Sequence, residues 1–228
     1  MHSMTNKTTF SKLFEEDFIK YGYITEENFS LYLAKCSEFA AKQLSQKQKL
    51  SGFESYLDSL NVDMVKVELK DSAELLTQAV DKIQNKLGSL PFVPMTDGFV
   101  PESIPVDGSF ELNGKHVSPF GYDMVTALYN TYLFPKMGEY ETLRTYEFSK
   151  NQRATFVYAM DKVSVDNNIP RFTYFTGEFI LSRGIFMASQ LLKTPKLHAW
   201  RVKVLRVLLT DYLAGKMIKL PAIVEKIA

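Results

Sequence analysis

GSLPFVPMTDGFVPESIPVDGSFELNGKHVSPFG, residues 88–121, decides how the chain is divided. It carries five prolines (Pro91, Pro94, Pro101, Pro105, Pro119) and five glycines (Gly88, Gly98, Gly108, Gly114, Gly121). Proline removes a helix donor and glycine costs backbone entropy, so no long helix crosses this stretch. Within it, residues 109–117 read as a tight β-hairpin, with Asn113 and Gly114 at the two positive-φ positions of a type I′ turn. Its apolar residues (Phe92, Val93, Phe99, Val100, Ile104, Phe110) belong to an ordered, packed segment and not to a solvated tether. Three roles stay open for it: a linker between two helical lobes, a clasp on its own chain, or an arm exchanged with a neighbour. The last would give self-association through residues 88–121.

On the amino-terminal side the pattern is helical. Phe10, Leu13, Phe14, Phe18 and Tyr21 recur at helical spacing over residues 9–21, and Gly22 supplies a turn. Thr25 reads as an N-cap with Glu26 and Glu27 in the first turn, where carboxylates complement the helix dipole. That helix is expected to reach about Lys49 and to bury Phe29, Leu33, Cys36, Phe39, Ala40 and Leu44. A short helix over 52–60 follows. Val65, Val67 and Leu69 alternate, so residues 64–70 are expected to be a short strand or an extended connector. Asp71 to Glu74 resembles a capping box ahead of a helix that ends at Leu87, before Gly88.

Beyond Gly121 the helical pattern resumes, with helices expected near 122–133, 139–147, 150–164, 171–192, 195–214 and 220–227. Pro170, Pro195 and Pro221 stand where a helix-starting proline is tolerated. The fold class is therefore mainly α. Residues 1–87 form an amino-terminal helical lobe, 88–121 the Pro/Gly-rich segment with its hairpin, and 122–228 a carboxy-terminal helical lobe with a basic surface.

Composition narrows the function classes. Of 228 residues, 46% are hydrophobic and 23% charged, an ordinary globular balance. With 27 Lys+Arg against 26 Asp+Glu, the chain is not a highly charged disordered protein. No apolar run approaches the ~18 residues of a membrane span. Cys36 is the sole cysteine, which excludes an internal disulfide and a cysteine metal cluster. No secretory signal is read at the amino terminus, so the expected location is intracellular and cytoplasmic, or a virion.

The charge is unevenly placed. Residues 1–100 hold 11 lysines, no arginine and 14 acids, a balance of −3. All six arginines lie in residues 101–228, which balance at +4. Between Arg183 and Lys219, eight basic residues face one acid, Asp211. Such a local excess makes a field that the overall charge of +1 conceals.

The helix over 195–214 focuses that charge. At 100° per residue, Lys196, Ala199, Lys203, Arg206 and Thr210 share one face, and Leu197, Val204, Leu205, Leu208, Leu209 and Tyr212 cover the other. A cationic stripe pairs with phosphates and releases their counterions. Trp200 at its edge offers a surface for base stacking, and Lys193 and Arg201 widen the basic rim. Arg144, Arg153, Arg171 and Arg183 stand beside aromatics (Tyr146, Phe156, Phe172, Phe186), a combination suited to single strands.

Other motifs carry no chemistry. His198 and Arg201 match the bare H-x-x-R element of tyrosine recombinases, but Tyr212 follows too closely on the same helix to be their nucleophile. Asp17 to Asn28 copies the outline of an EF-hand loop, yet Ile19, Tyr21 and Asn28 stand where calcium needs oxygen ligands and a glutamate. No P-loop, G-x-G-x-x-G or G-x-S-x-G is found, and no metal site or cofactor is expected. The expected function is a non-enzymatic nucleic-acid-binding and assembly protein, a nucleoprotein or coat-like subunit of a virus or phage that holds RNA or single-stranded DNA in a basic groove of the carboxy-terminal lobe. The alternative is a helical adaptor or replication accessory protein that docks an acidic protein partner.

Overall fold

The structure, a computed structural model, describes residues 8–47, 52–96, 99–107, 112, 116–133, 146–190, 195–216 and 218. It is mainly helical, with one two-stranded antiparallel sheet among the described residues. The helices are α1 (Phe10–Tyr21), α2 (Glu26–Ser45), α3 (Gly52–Leu60), α4 (Val62–Leu69) and α5 (Ala73–Leu87), followed by α6 (Tyr122–Leu133), α7 (Lys150–Asp166), α8 (Thr176–Ser189) and α9 (Pro195–Leu213). The expected helices over 139–147 and 220–227 fall mostly or wholly outside the described residues, and residues 146–149 are not helical.

Local signals account for several helix ends. α1 stops at Gly22, whose φ of 77° is left-handed, and Gly22 N donates to Phe18 O. Thr25 caps α2 by accepting from Asn28 N at 3.3 Å. The turn between them is tied by Asp17, whose Oδ2 accepts from Thr25 N at 2.8 Å, Thr25 Oγ1 at 2.7 Å and Asn28 Nδ2 at 2.9 Å. The carboxylate that opened the calcium-like outline thus fastens a helix corner. Ser149 and Gln152 form a capping box at α7, and Gln152 Nε2 also reaches Ile24 O at 2.8 Å, so one glutamine joins the starts of α7 and α2.

Residues 64–70 are helical in α4, not extended. Val65 and Leu69, four apart, are both fully buried, and Val67 between them is 73% exposed. The alternating valines had suggested period two, but burial follows the helical i, i+4 spacing. No capping box closes α5 either. A 3-10 turn over Lys70–Ser72 leads into it, and Ser72 makes no side-chain cap bond.

The described residues 88–96, 99–107 and 116–121 are tied into their own chain. β1 (Phe92–Pro94) pairs with β2 (Val117–Pro119), with Val93 opposite Ser118. Val117 therefore pairs with Pro94, far away in sequence, and the proposed Asn113-Gly114 turn lies outside the described residues. Leu90, Phe92, Val93, Met95, Phe99, Val100 and Ile104 are all buried. Phe10 N donates to Ile104 O at 3.1 Å and Ser11 N to Pro101 O at 3.0 Å, so this segment caps the start of α1, where Thr9 makes no side-chain cap.

Helices from either side of that segment pack on one another. α8 lies against α3, α4, α5, α6 and α9, and α2 lies against α7 and α6. The buried side chains form a single apolar cluster from Phe10 to Leu209. At one end Phe14 meets Tyr32, Tyr146 and Phe148 edge-on at 5.3–5.4 Å. At the other, α8 buries all but one of the residues from Glu178 to Ser189, because helices cover it on several sides. Gly121 permits this approach. It has φ +109°, and a Cβ there would stand 2.7 Å from Phe179 Cε2.

Candidate nucleic-acid interface

α9 begins at Pro195, where a missing donor costs nothing. Leu197, Arg201, Val204, Leu205, Leu208 and Leu209 are buried against α8 and α5, while Lys196, Ala199, Lys203, Arg206 and Thr210 are exposed. The exposed side is the one read from the sequence, but Arg201, read as part of the basic rim, lies on the buried side. With a rise of 1.5 Å per residue, Lys196 to Arg206 spans about 15 Å of helix surface. Among the described residues, Lys196 and Arg206 form no ion pair with a carboxylate. Arg206 Nη2 lies 3.4 Å from Leu69 O, at the carboxy-terminal end of α4, where a cation complements the helix dipole. Beside it His198 Nε2 meets Glu68 Oε2 at 3.1 Å. Trp200 is half-buried and packs against the core, which leaves only part of its ring at the edge of the stripe.

The other cations are not gathered there. Arg201 is 2% exposed and Arg183 is 5% exposed. Arg201 follows Leu197 by four residues and precedes Leu205 by four, so it lies on the apolar face. Burial, and then the neighbouring Arg183, lower its pKa to about 10. The Arg183 guanidinium lies 4.8 Å from the Phe186 ring centre, inside the protein. Arg153 is half-buried and donates to Phe148 O of its own chain. Arg171 is exposed on the turn between α7 and α8. Tyr146, Phe156 and Phe172 beside these arginines are core residues. Arg144 and Lys193 lie outside the described residues. The shared exposed face is therefore Lys196, Lys203 and Arg206.

Two polar clusters escaped the sequence reading. In the first, buried Asp123 Oδ2 accepts from Gln43 Nε2 at 2.7 Å and Thr96 N at 3.2 Å, joining α6, α2 and the chain after β1. Burial raises its pKa to about 7 against the opposing effect of those hydrogen bonds and of Arg183. In the second, Glu178 Oε1 on α8 accepts from Lys86 Nζ of α5 at 2.7 Å and Tyr212 Oη of α9 at 3.0 Å. Burial and the Glu178 carboxylate push the Tyr212 phenol well up. These groups border a cleft of about 240 Å³, lined also by Tyr174, Thr176, Gly177, Gly215, Lys216 and Ile218. Glu178 alone carried a warning, as a lone acid in the apolar run of α8. Its partners come from other helices, which no local pattern reveals.

Compared with known proteins, the chain matches no protein family, no curated relative and no solved structure.

Proposed function

We propose that this is a non-enzymatic nucleic-acid-binding protein that contacts the phosphates of RNA or single-stranded DNA with the outer face of α9. The observation that carries the reading is the line of Lys196, Lys203 and Arg206 on one exposed face of about 15 Å, backed by a rigid apolar face. Three cations at that spacing reach a few consecutive phosphates, and Trp200 at the edge offers a partial stacking surface. Arg183 and Arg201, both buried, take no part, and no groove between two lobes is needed.

A site of three charges predicts modest, sequence-tolerant binding with a weak salt dependence. For a single strand, log K should fall with log salt at a slope of about −2. The test is binding of a labelled ~20-mer at several salt concentrations. Lys196→Glu with Lys203→Glu should abolish most of the affinity, with folding of the variant checked by circular dichroism, and Arg206 is kept because it also touches α4. Binding that ignores salt, or that survives the double variant, would defeat the proposal. Retention of a cellular partner after nuclease treatment would instead favour docking of an acidic protein.

A further inference from the structure

We infer that the cleft between the carboxy-terminal ends of α5 and α9 and the first turn of α8 binds a small phosphate ester, with Lys86 and Lys216 on the phosphate and Tyr174 against the remainder. The cleft has a carboxylate at its floor, but the Glu178 side chain is only 3% exposed and its Oε1 is covered by Lys86 and Tyr212. The lysine side chains stand outside it: that of Lys86 is 58% exposed and that of Lys216 is 62% exposed. A ligand entering from solvent therefore meets positive charge first.

Each ammonium has three donors. The described contacts use one on Lys86, toward Glu178 at 2.7 Å, and one on Lys216, toward Asp211 Oδ1 at 3.3 Å. The remaining donors suit a group with several acceptor oxygens and more than one negative charge, which describes a phosphate better than a carboxylate. The buried pairings hold the site in shape. Glu178 fixes Lys86 and Tyr212 at once, so three helices set the position of one wall. The other wall is Tyr174, 66% exposed, whose ring can lie against a flat or apolar substituent. A cleft of about 240 Å³ takes a small molecule and not a folded partner. This inference does not depend on the α9 face, whose cations lie on other residues.

The test is a titration of the full chain at low salt, followed by amide chemical shifts, with a nucleoside monophosphate, its parent nucleoside and inorganic phosphate as probes. The monophosphate should bind saturably below about 1 mM and move the amides of Thr176, Gly177 and Gly215. The nucleoside should not bind, and inorganic phosphate should bind more weakly than the ester. Lys216→Ala and, separately, Lys86→Met should each weaken the monophosphate about tenfold, while the Lys196→Glu, Lys203→Glu variant should leave it unchanged. Lys86→Met strands the buried Glu178 and can unfold the chain, so Lys216→Ala, which alters an exposed group, decides. Absence of saturable binding, equal binding of nucleoside and monophosphate, or full affinity in Lys216→Ala would overturn the inference. Inorganic phosphate bound as tightly as the ester would also overturn it.

Discussion

Two aspartates show how burial and hydrogen bonding set opposite pH responses in one chain. Burial acts to raise the pKa of Asp17, but the bonds from Thr25 and Asn28 outweigh it and hold the carboxyl below its ordinary 3.8. Its stabilising effect is therefore present above the unfolded pKa and is lost as pH falls through the folded one. At Asp123 burial prevails, and the pKa rises to about 7 from 3.8. The fold prefers its protonated form, so the stability it contributes is present below about pH 4 and is lost as pH rises toward 7. Asp123→Asn should remove that decline. Measured by denaturant unfolding between about pH 4 and pH 8, the variant should gain on the parent as pH rises, by an amount of the order of a few kcal/mol. Asp17→Asn should behave oppositely, losing about 1–2 kcal/mol at neutral pH and less in acid. A constant difference across the range for Asp123→Asn would mean that its carboxyl is already charged throughout.

At the scale of elements, α4 is where sequence and structure part, and the reason is physical. A run with Val65, Val67 and Leu69 satisfies period two, yet Val65 and Leu69 also satisfy period 3.6, and a single strand without a partner is not stable. Val67→Lys should change stability by no more than about 0.5 kcal/mol, because its side chain is solvent-facing. Val65→Lys should cost several kcal/mol, because it buries a charge among α4, α5 and α8. Equal damage from the two would restore the extended reading, in which both share a face; thermal melts separate the outcomes. The helices bounded by local signals were legible: Gly22, Thr25, Pro195 and the apolar spacing of α9 each act within a few residues. The exposed line of Lys196, Lys203 and Arg206 was legible for the same reason. The inward turn of Arg201 was also written in its spacing from Leu197 and Leu205. That of Arg183 was not, since α8 is apolar on most sides and a periodic pattern is lacking. The pairing of Val117 with Pro94, and the meeting of Lys86, Glu178 and Tyr212, join residues far apart in sequence, which no local pattern encodes.

At the scale of the whole molecule, amphipathicity tells which face a helix buries but not which helix covers it. That gap is why the contacts between residues 1–87 and 122–228 are not written in the sequence. In the structure α3, α4 and α5 cover α8, α2 lies on α7, and β1 and β2 pack against α2 and α3. Removing residues 122–228 would uncover the fully buried Tyr32, whose ring meets Phe148 and Phe156, and removing residues 1–87 would uncover Phe156 in turn. The chain should accordingly unfold in one cooperative step despite its length. Trp200, the sole tryptophan, lies on α9, packs against the core and reports on that end directly. Phe14 lies at the other end, in the aromatic cluster with Tyr32, Tyr146 and Phe148. Phe14→Leu should therefore lower the unfolding midpoint seen by Trp200 fluorescence, by about 1–2 kcal/mol of stability, and the midpoint seen by far-ultraviolet circular dichroism by the same amount. Leu205→Ala, on the same helix as the tryptophan, should shift both probes together, by about 2–5 kcal/mol. Two transitions, with Phe14→Leu moving only the one that Trp200 does not sense, would mean that the amino-terminal helices hold a core of their own.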